Sequence, residues 1–313
     1  MRLLCIGILA GILTAADVAQ IRANMEKVMG PLPVKSTAPV AVELLEEETT
    51  PTFTRRKITY LSEGADRVPA YVLIPKGKAG KFPAMVCLHQ TTKLGKAEPA
   101  GTGPKVNLHY GKELAERGYV VIAPDYPGFG DYVLDAYAMG YASATMKGIV
   151  NHRRAIDVLR SMPEVDANRI GVIGHSLGGH NSLFLAAFDE RIKAVVTSCG
   201  FTSFAKYYGG NLTGWSHKGY MPRIADVFEK SPARMPFDFS DVLTAIAPRP
   251  VFINAPLHDA NFEVTGVQDC VRIALPAYGS RQGNLVAEYP NAAHDFPPEV
   301  RHRAYAFLDS HLH

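Results

Sequence analysis

Apolar positions along the chain fall into two rhythms that replace one another in turn. Runs at 53–62 and 67–75 alternate in the manner of strands, and the polar Glu63-Gly64-Ala65-Asp66 stretch between them predicts a hairpin turn. From there short, almost wholly apolar runs at 82–88, 119–123, 169–174, 192–198, 250–254 and 285–289 predict further strands. Longer segments with helical spacing, at 106–117, 142–162, 177–188, 241–247, 262–278 and 298–311, separate them. Gly118, Pro124 and Pro163 punctuate the junctions. Strands that are apolar throughout, with a helix between each pair, imply βαβ units and a parallel sheet covered on both faces.

Two stretches depart from the rhythm. Residues 19–29 predict a helix, and 31–51, rich in Pro, Thr and Glu, read as a surface connection leading to the first strand. After the sixth strand the pattern stops at Gly200. The next forty residues carry Tyr207, Tyr208, Trp215 and Tyr220 among glycines and prolines, too long and too aromatic for an ordinary connection of about 2–6 residues. The expected organisation is therefore an N-terminal helix and connecting segment over 17–52 and one α/β catalytic domain over 53–313. An inserted cap, about residues 200–240, would lie over the C-terminal edge of its mostly parallel sheet.

Composition narrows the class. The 313 residues are 47% hydrophobic and 20% charged, with a net charge of +3, the balance of a globular protein with no nucleic-acid footprint. Glu46-Glu47-Glu48 and Arg55-Arg56-Lys57 lie close in sequence and largely offset one another. The N-terminus adds a targeting signature. Arg2 precedes an apolar run from Leu3 to Leu13, too short for the roughly 20 residues of a membrane-spanning helix, and small residues follow to Ala16. Residues 1–16 thus read as a signal peptide cleaved near Asp17, with a secreted or periplasmic mature protein that has no stable membrane insertion. Cys5 lies too near the start for a lipid anchor. The remaining Cys87, Cys199 and Cys270 are odd in number and suit free core thiols better than a disulfide framework.

The chemistry enters at Gly174-His175-Ser176-Leu177-Gly178, a G-x-S-x-G pattern with a predicted strand before it and a helix after. In that context the serine sits on a sharp strand-to-helix turn that lifts its hydroxyl clear of the sheet, and the following N–H, from Leu177, faces a developing oxyanion. A serine needs a base, and the base a carboxylate, in the chain order Ser, acid, His. His294 follows the last predicted strand and Asp259 the one before it, which makes them the expected base and acid. Asp295 is expected to turn outward and Asp125 to pin its own loop, while His217 and His258, in loops, are the histidines hardest to set aside. The loop after strand 82–88, His89-Gln90-Thr91-Thr92, should supply the second oxyanion donor from the Thr91 N–H, with Gln90 as alternative. Trp215 and Tyr208 are the candidates to hold a substrate ring from the cap, against the plainer expectation that cap aromatics only pack the insert. Neither His-Glu-x-x-His, nor Cys-x-x-Cys, nor a phosphate-binding glycine loop is present, so no metal or cofactor is expected.

Residues 67–311 resemble the dienelactone hydrolase and acetyl xylan esterase group of α/β hydrolases. The carrying segments are His89-Gln90-Thr91-Thr92-Lys93 with Gly95-Lys96, Arg154-Ala155-Ile156-Asp157, Pro163-Glu164-Val165-Asp166, Arg169-Ile170-Gly171 into the serine turn, and Ala255-Pro256-Leu257-His258-Asp259. The resemblance implies the α/β-hydrolase fold and a cofactor-free serine enzyme cleaving small or carbohydrate-linked esters, acetyl esters among them. The nucleophile of dienelactone hydrolases resembles a cysteine, so the serine here favours ordinary esters. A peptidase of the prolyl-oligopeptidase type and a catalytically silent binding protein on the same fold are the competing readings. Oligomeric state and exact substrate are not legible.

Overall fold

The computed structural model describes residues 14–77 and 80–313. A single nine-stranded sheet organises them, with strands β1 (Val42–Thr49), β2 (Phe53–Leu61), β3 (Arg67–Pro75), β4 (Phe82–Leu88), β5 (Val120–Pro124), β6 (Val165–His175), β7 (Ile192–Ser198), β8 (Val251–Asn254) and β9 (Leu285–Glu288). Their spatial order is β1-β2-β3-β5-β4-β6-β7-β8-β9. The first three strands and the β3–β5 contact are antiparallel; every pair from β5 to β9 is parallel. The parallel sheet is the one expected from the alternation, and the whole is the α/β-hydrolase fold that the family resemblance implies.

Burial explains why the parallel strands are apolar throughout. In β4, Ala84, Val86 and Leu88 enter one core layer while Met85 and Cys87 enter the other. The first layer is covered by helices α1 (Ala15–Met29), α3 (Ala144–Ser161), α4 (Leu177–Phe188), α6 (Phe239–Ile246) and α7 (Val264–Ala274). The second is covered by α2 (Tyr110–Glu116) and α8 (Pro298–Leu312). Both faces of a strand are thus dry, and the period-2 polar positions of a half-exposed strand never arise. Local signals set the helix ends. Ser143 caps α3 through a bond from Met146 N–H (3.0 Å), Asp238 and Asp241 form a capping box on α6, and Pro298 opens α8, where its missing N–H costs nothing.

β1 corrects the reading of 31–51 as a mere connection. Every residue of β1 is exposed, so no hydropathy alternation marks it. Its register against β2 sets Glu46 opposite Lys57, Glu47 opposite Arg56 and Glu48 opposite Arg55, and each pair is bridged, with Glu47 to Arg56 at 2.7 Å. The two charge runs that cancel in sequence form a cross-strand ladder.

Residues 199–238 between β7 and α6 form short 3₁₀ turns and the four-residue helix α5 (Arg223–Asp226). Their buried side chains, among them Phe201, Phe204, Leu212, Trp215, Met221 and Phe237, join the first core layer rather than a core of their own. Among the described residues no helix is long and apolar enough to cross a membrane. The proposed signal peptide falls almost wholly on residues 1–13, outside the described residues. Cys87, Cys199 and Cys270 are free and buried.

Candidate active site

At the C-terminal edge of the sheet, β6 turns into α4 at Ser176, which takes φ 54°, ψ −116°. A non-glycine residue there is strained by about 1–3 kcal/mol and must be held by its surroundings. Its N–H donates to Ser198 O of the neighbouring strand (2.8 Å). The glycines around it are there for want of space. A Cβ on Gly174 would lie 2.2 Å from Gly178 O, and one on Gly178 would lie 1.9 Å from Leu88 O. Strand, turn and helix therefore pack at a distance only glycine permits.

His294 arrives on the loop after β9, and Asp259 on the loop after β8. His294 Nδ1 lies 2.9 Å from both carboxylate oxygens of Asp259. Since an ionised carboxylate only accepts, Nδ1 carries the proton and Nε2 keeps its lone pair. Asp259 also accepts from Asn261 N–H (2.8 Å) and Phe262 N–H (3.2 Å), so its direction is fixed. The two loops are laced together by Leu257 N–H to Pro290 O (2.9 Å) and His258 N–H to Ala292 O (3.0 Å). The His175 ring lies edge-on to that of His294, centroids 4.9 Å apart; burial drives its pKa well below the ordinary value, so it is a neutral neighbour.

Ser176 and His294 both line a cavity of about 630 Å³, together with Gln90, Thr91, Trp215 and Tyr220. The loop that carries Gln90 and Thr91 is stiff. His89 Nδ1–H donates to Gln90 O (2.6 Å) and its Nε2 accepts from Tyr126 N–H (3.0 Å), Gln90 Nε2 donates to the buried Glu98 (2.9 Å), and Thr91 Oγ1 meets Tyr220 OH at 2.7 Å. Asp125 pins its own loop by accepting from Asp131 N–H (3.0 Å), and it ties that loop to a second one. It is fully buried, and one carboxylate oxygen accepts from Lys96 N–H while the other accepts from Lys96 Nζ, both at 2.7 Å. Among the described residues, the backbone N–H groups of Leu177, Gln90 and Thr91 donate to no protein acceptor, which leaves all three available to an oxyanion.

Three expectations are altered. Tyr208 lies outside this cavity: it is 57% exposed and bonds Asn261 Oδ1 through its hydroxyl (2.9 Å). Trp215 does line the cavity, but it is only 2% exposed and its ring is packed among Phe204, Phe239, Phe262, Tyr207 and His180. Its ring is packed against protein, so it is not a free stacking platform. Asp295 does not turn away; it lines the cavity and accepts from Asn107 Nδ2 (2.7 Å). His258 (bonded to Asn291 Oδ1 at 2.7 Å) and His217 do not line the cavity. Tyr220 and His180 are cavity residues that the sequence reading passed over. His180 was legible in principle, because it stands one helical turn after Ser176 on the same helix.

Cys199, Asp259 and His294 are the one group of metal-ligand types that cluster among the described residues, their atoms all within 4.8 Å. Burial raises the Cys199 thiol pKa well above its ordinary value, and Sγ lies 3.3 Å from Asp295 O, a thiol hydrogen-bonded to protein.

Sheet order, strained serine turn and loop positions are those of the α/β-hydrolase fold. The comparisons agree. Residues 68–211 match the dienelactone hydrolase family model. The Bacillus subtilis protein YtaP, named as a hydrolase, is 28% identical over 94% of this chain and 99% of its own. A glucuronoyl esterase from Solibacter usitatus superimposes with TM-score 0.75 at 17% identity, over 95% of this chain and 92% of that one. An acetyl xylan esterase from Paenibacillus sp. R4 does so with TM-score 0.64 at 19% identity, over 96% of each chain. The chain has the α/β-hydrolase fold and, over residues 68–211, resembles the dienelactone hydrolase family.

Proposed function

We propose that this protein is a serine carboxylic ester hydrolase that works through an acyl-enzyme. The observation that carries the reading is the doubly accepted His294 Nδ1–H on Asp259, set at the same cavity as a serine held at positive φ. In this scheme Ser176 Oγ attacks the ester carbonyl as His294 Nε2 takes its proton. Asp259 keeps the imidazole in the required tautomer and stabilises the imidazolium that forms. The N–H groups of Leu177 and Thr91, with Gln90 as the alternative, receive the negative charge on the carbonyl oxygen. His294 then protonates the departing alcohol. A water, deprotonated by the same nitrogen, attacks the acyl-enzyme and releases the acid and Ser176. The esterases among the structural neighbours support an ester, on a small acyl group or a carbohydrate, as the bond cleaved.

A fluorophosphonate probe tests the scheme. It should label the native protein once, at Ser176, and leave Ser176→Ala unlabelled; labelling elsewhere, or turnover surviving in Ser176→Ala, sinks the assignment. We also read residues 1–16 as an export signal. Cleavage before Asp17 would remove Thr14, which shares a capping box with Asp17 at the start of α1. Mass spectrometry of the exported protein should find Asp17 at or near its N-terminus, and an exported chain that keeps its first residues would refute this.

A further inference from the structure

Seven buried side-chain polar atoms lack a hydrogen-bond partner among the described residues, and three of them belong to residues that line the Ser176 cavity: His180 Nε2, Trp215 Nε1 and Gln90 Oε1. The three residues are 2%, 2% and 5% exposed. A buried polar atom left unpaired is costly, and its concentration in the wall of a cavity marks a place where a ligand group completes the bonding.

Their chemistry is specific. His180 Nδ1 lies 3.2 Å from Gly200 O, a carbonyl that can only accept, so the ring proton sits on Nδ1 and Nε2 is an acceptor. Burial holds the ring's pKa down at about 3, so it stays neutral and the lone pair persists at physiological pH. Trp215 Nε1–H is a donor only. The two rings touch, centroids 4.7 Å apart at 64°. Gln90 spends its amide N–H on Glu98, so Oε1 is a second acceptor. An acceptor beside a donor is matched by a group that gives and receives at once. A hydroxyl does this. A carboxylate would face the His180 lone pair, an ammonium would face the indole N–H, and an alkyl group would leave both unpaired.

We propose that His180 Nε2 and Trp215 Nε1–H form a hydroxyl-recognition subsite beside Ser176, made for a polyhydroxylated, carbohydrate ester. One substrate hydroxyl donates to His180 and accepts from Trp215, and Gln90 Oε1 accepts from another. The inference rests on the ester-hydrolase reading for its catalytic consequence but not for its binding. It also assigns Trp215 a different task from ring stacking, one that its buried faces allow.

Trp215 is the only tryptophan in the chain, so its emission reports on this subsite alone. Titrating the native protein and Ser176→Ala with a methyl xyloside should give a saturable change in tryptophan emission. His180→Phe should abolish it. No emission change in the native protein, or the same change in His180→Phe, overturns the subsite. Because this readout needs no turnover, a protein that binds the sugar yet fails to react with the fluorophosphonate would refute the hydrolytic mechanism and leave the subsite standing. In kinetics, Trp215→Phe keeps an aromatic ring but removes the donor. It should lower kcat/KM for an acetylated methyl xyloside about tenfold more than for p-nitrophenyl acetate. Equal losses on the two esters would mean that the unpaired atoms hold only a structural water.

Discussion

The two walls of the cavity are built on different principles. The wall made by the β6–α4 turn and the loops after β8 and β9 is set by backbone: a strained φ at Ser176, glycines at positions where a Cβ would fall only 1.9–2.2 Å from a backbone oxygen, and loops bonded main chain to main chain. The opposite wall, from 199–238, has little regular structure and is set by side-chain packing, with Trp215 at the centre of an aromatic cluster that reaches Phe239 of α6. The first arrangement fixes atoms to the tolerance that proton transfer needs; the second fills volume and presents polar edges. In the proposed mechanism chemistry and recognition are separated along that line, and mutations in the two walls should fail in different ways.

The largest effect belongs to the backbone-set wall. Asp259→Asn should lower kcat by about 10³–10⁴-fold, since the amide no longer selects the Nδ1–H tautomer, while the melting temperature moves little. A loss of less than tenfold would show that another group orients His294.

In the packed wall the order reverses. Trp215→Ala empties a site that is 2% exposed and should cost about 3–5 kcal/mol of stability, read as a lower urea midpoint. Fluorophosphonate labelling of Ser176 should persist at temperatures where the variant is folded. If stability is hardly changed, the insert is not continuous with the core.

The smallest effect concerns acid. His152, buried on α3 behind the site, has its pKa lowered by burial to about 3 from 6.5. The folded state therefore binds its proton more weakly than the unfolded chain. The corresponding stability is present above about pH 6.5 and is lost as pH falls toward 3, by up to roughly 5 kcal/mol. His180 behaves alike, with its pKa held at about 3 by the same cause. His152→Leu should flatten the fall in urea midpoint between pH 6.5 and 4, whatever it does to the midpoint at pH 7. An unchanged slope would place the acid sensitivity elsewhere.

By itself the sequence determined the succession of strands and helices, because burial on both faces of a parallel sheet writes continuous apolar runs that need no partner to be recognised. It also singled out Ser176, Asp259 and His294 as the proposed triad, since residues of these types at the C-terminal ends of strands β6, β8 and β9 follow from local order along the chain. Only the tertiary structure decided the rest. β1 exists through charge pairs with β2, and a strand buried on neither face leaves no hydropathy trace. Trp215 lines the cavity and Tyr208 lies outside it, although they are seven positions apart in one irregular segment, because without a helix or strand no period ties a residue's number to the direction it faces. Asp295 faces inward because Asn107 of a distant loop meets its carboxylate and Asn254 binds its carbonyl. The deciding partner lies across a short hairpin for β1 and 41 to 188 residues away for Asp295, and in both cases only folding brings it into contact.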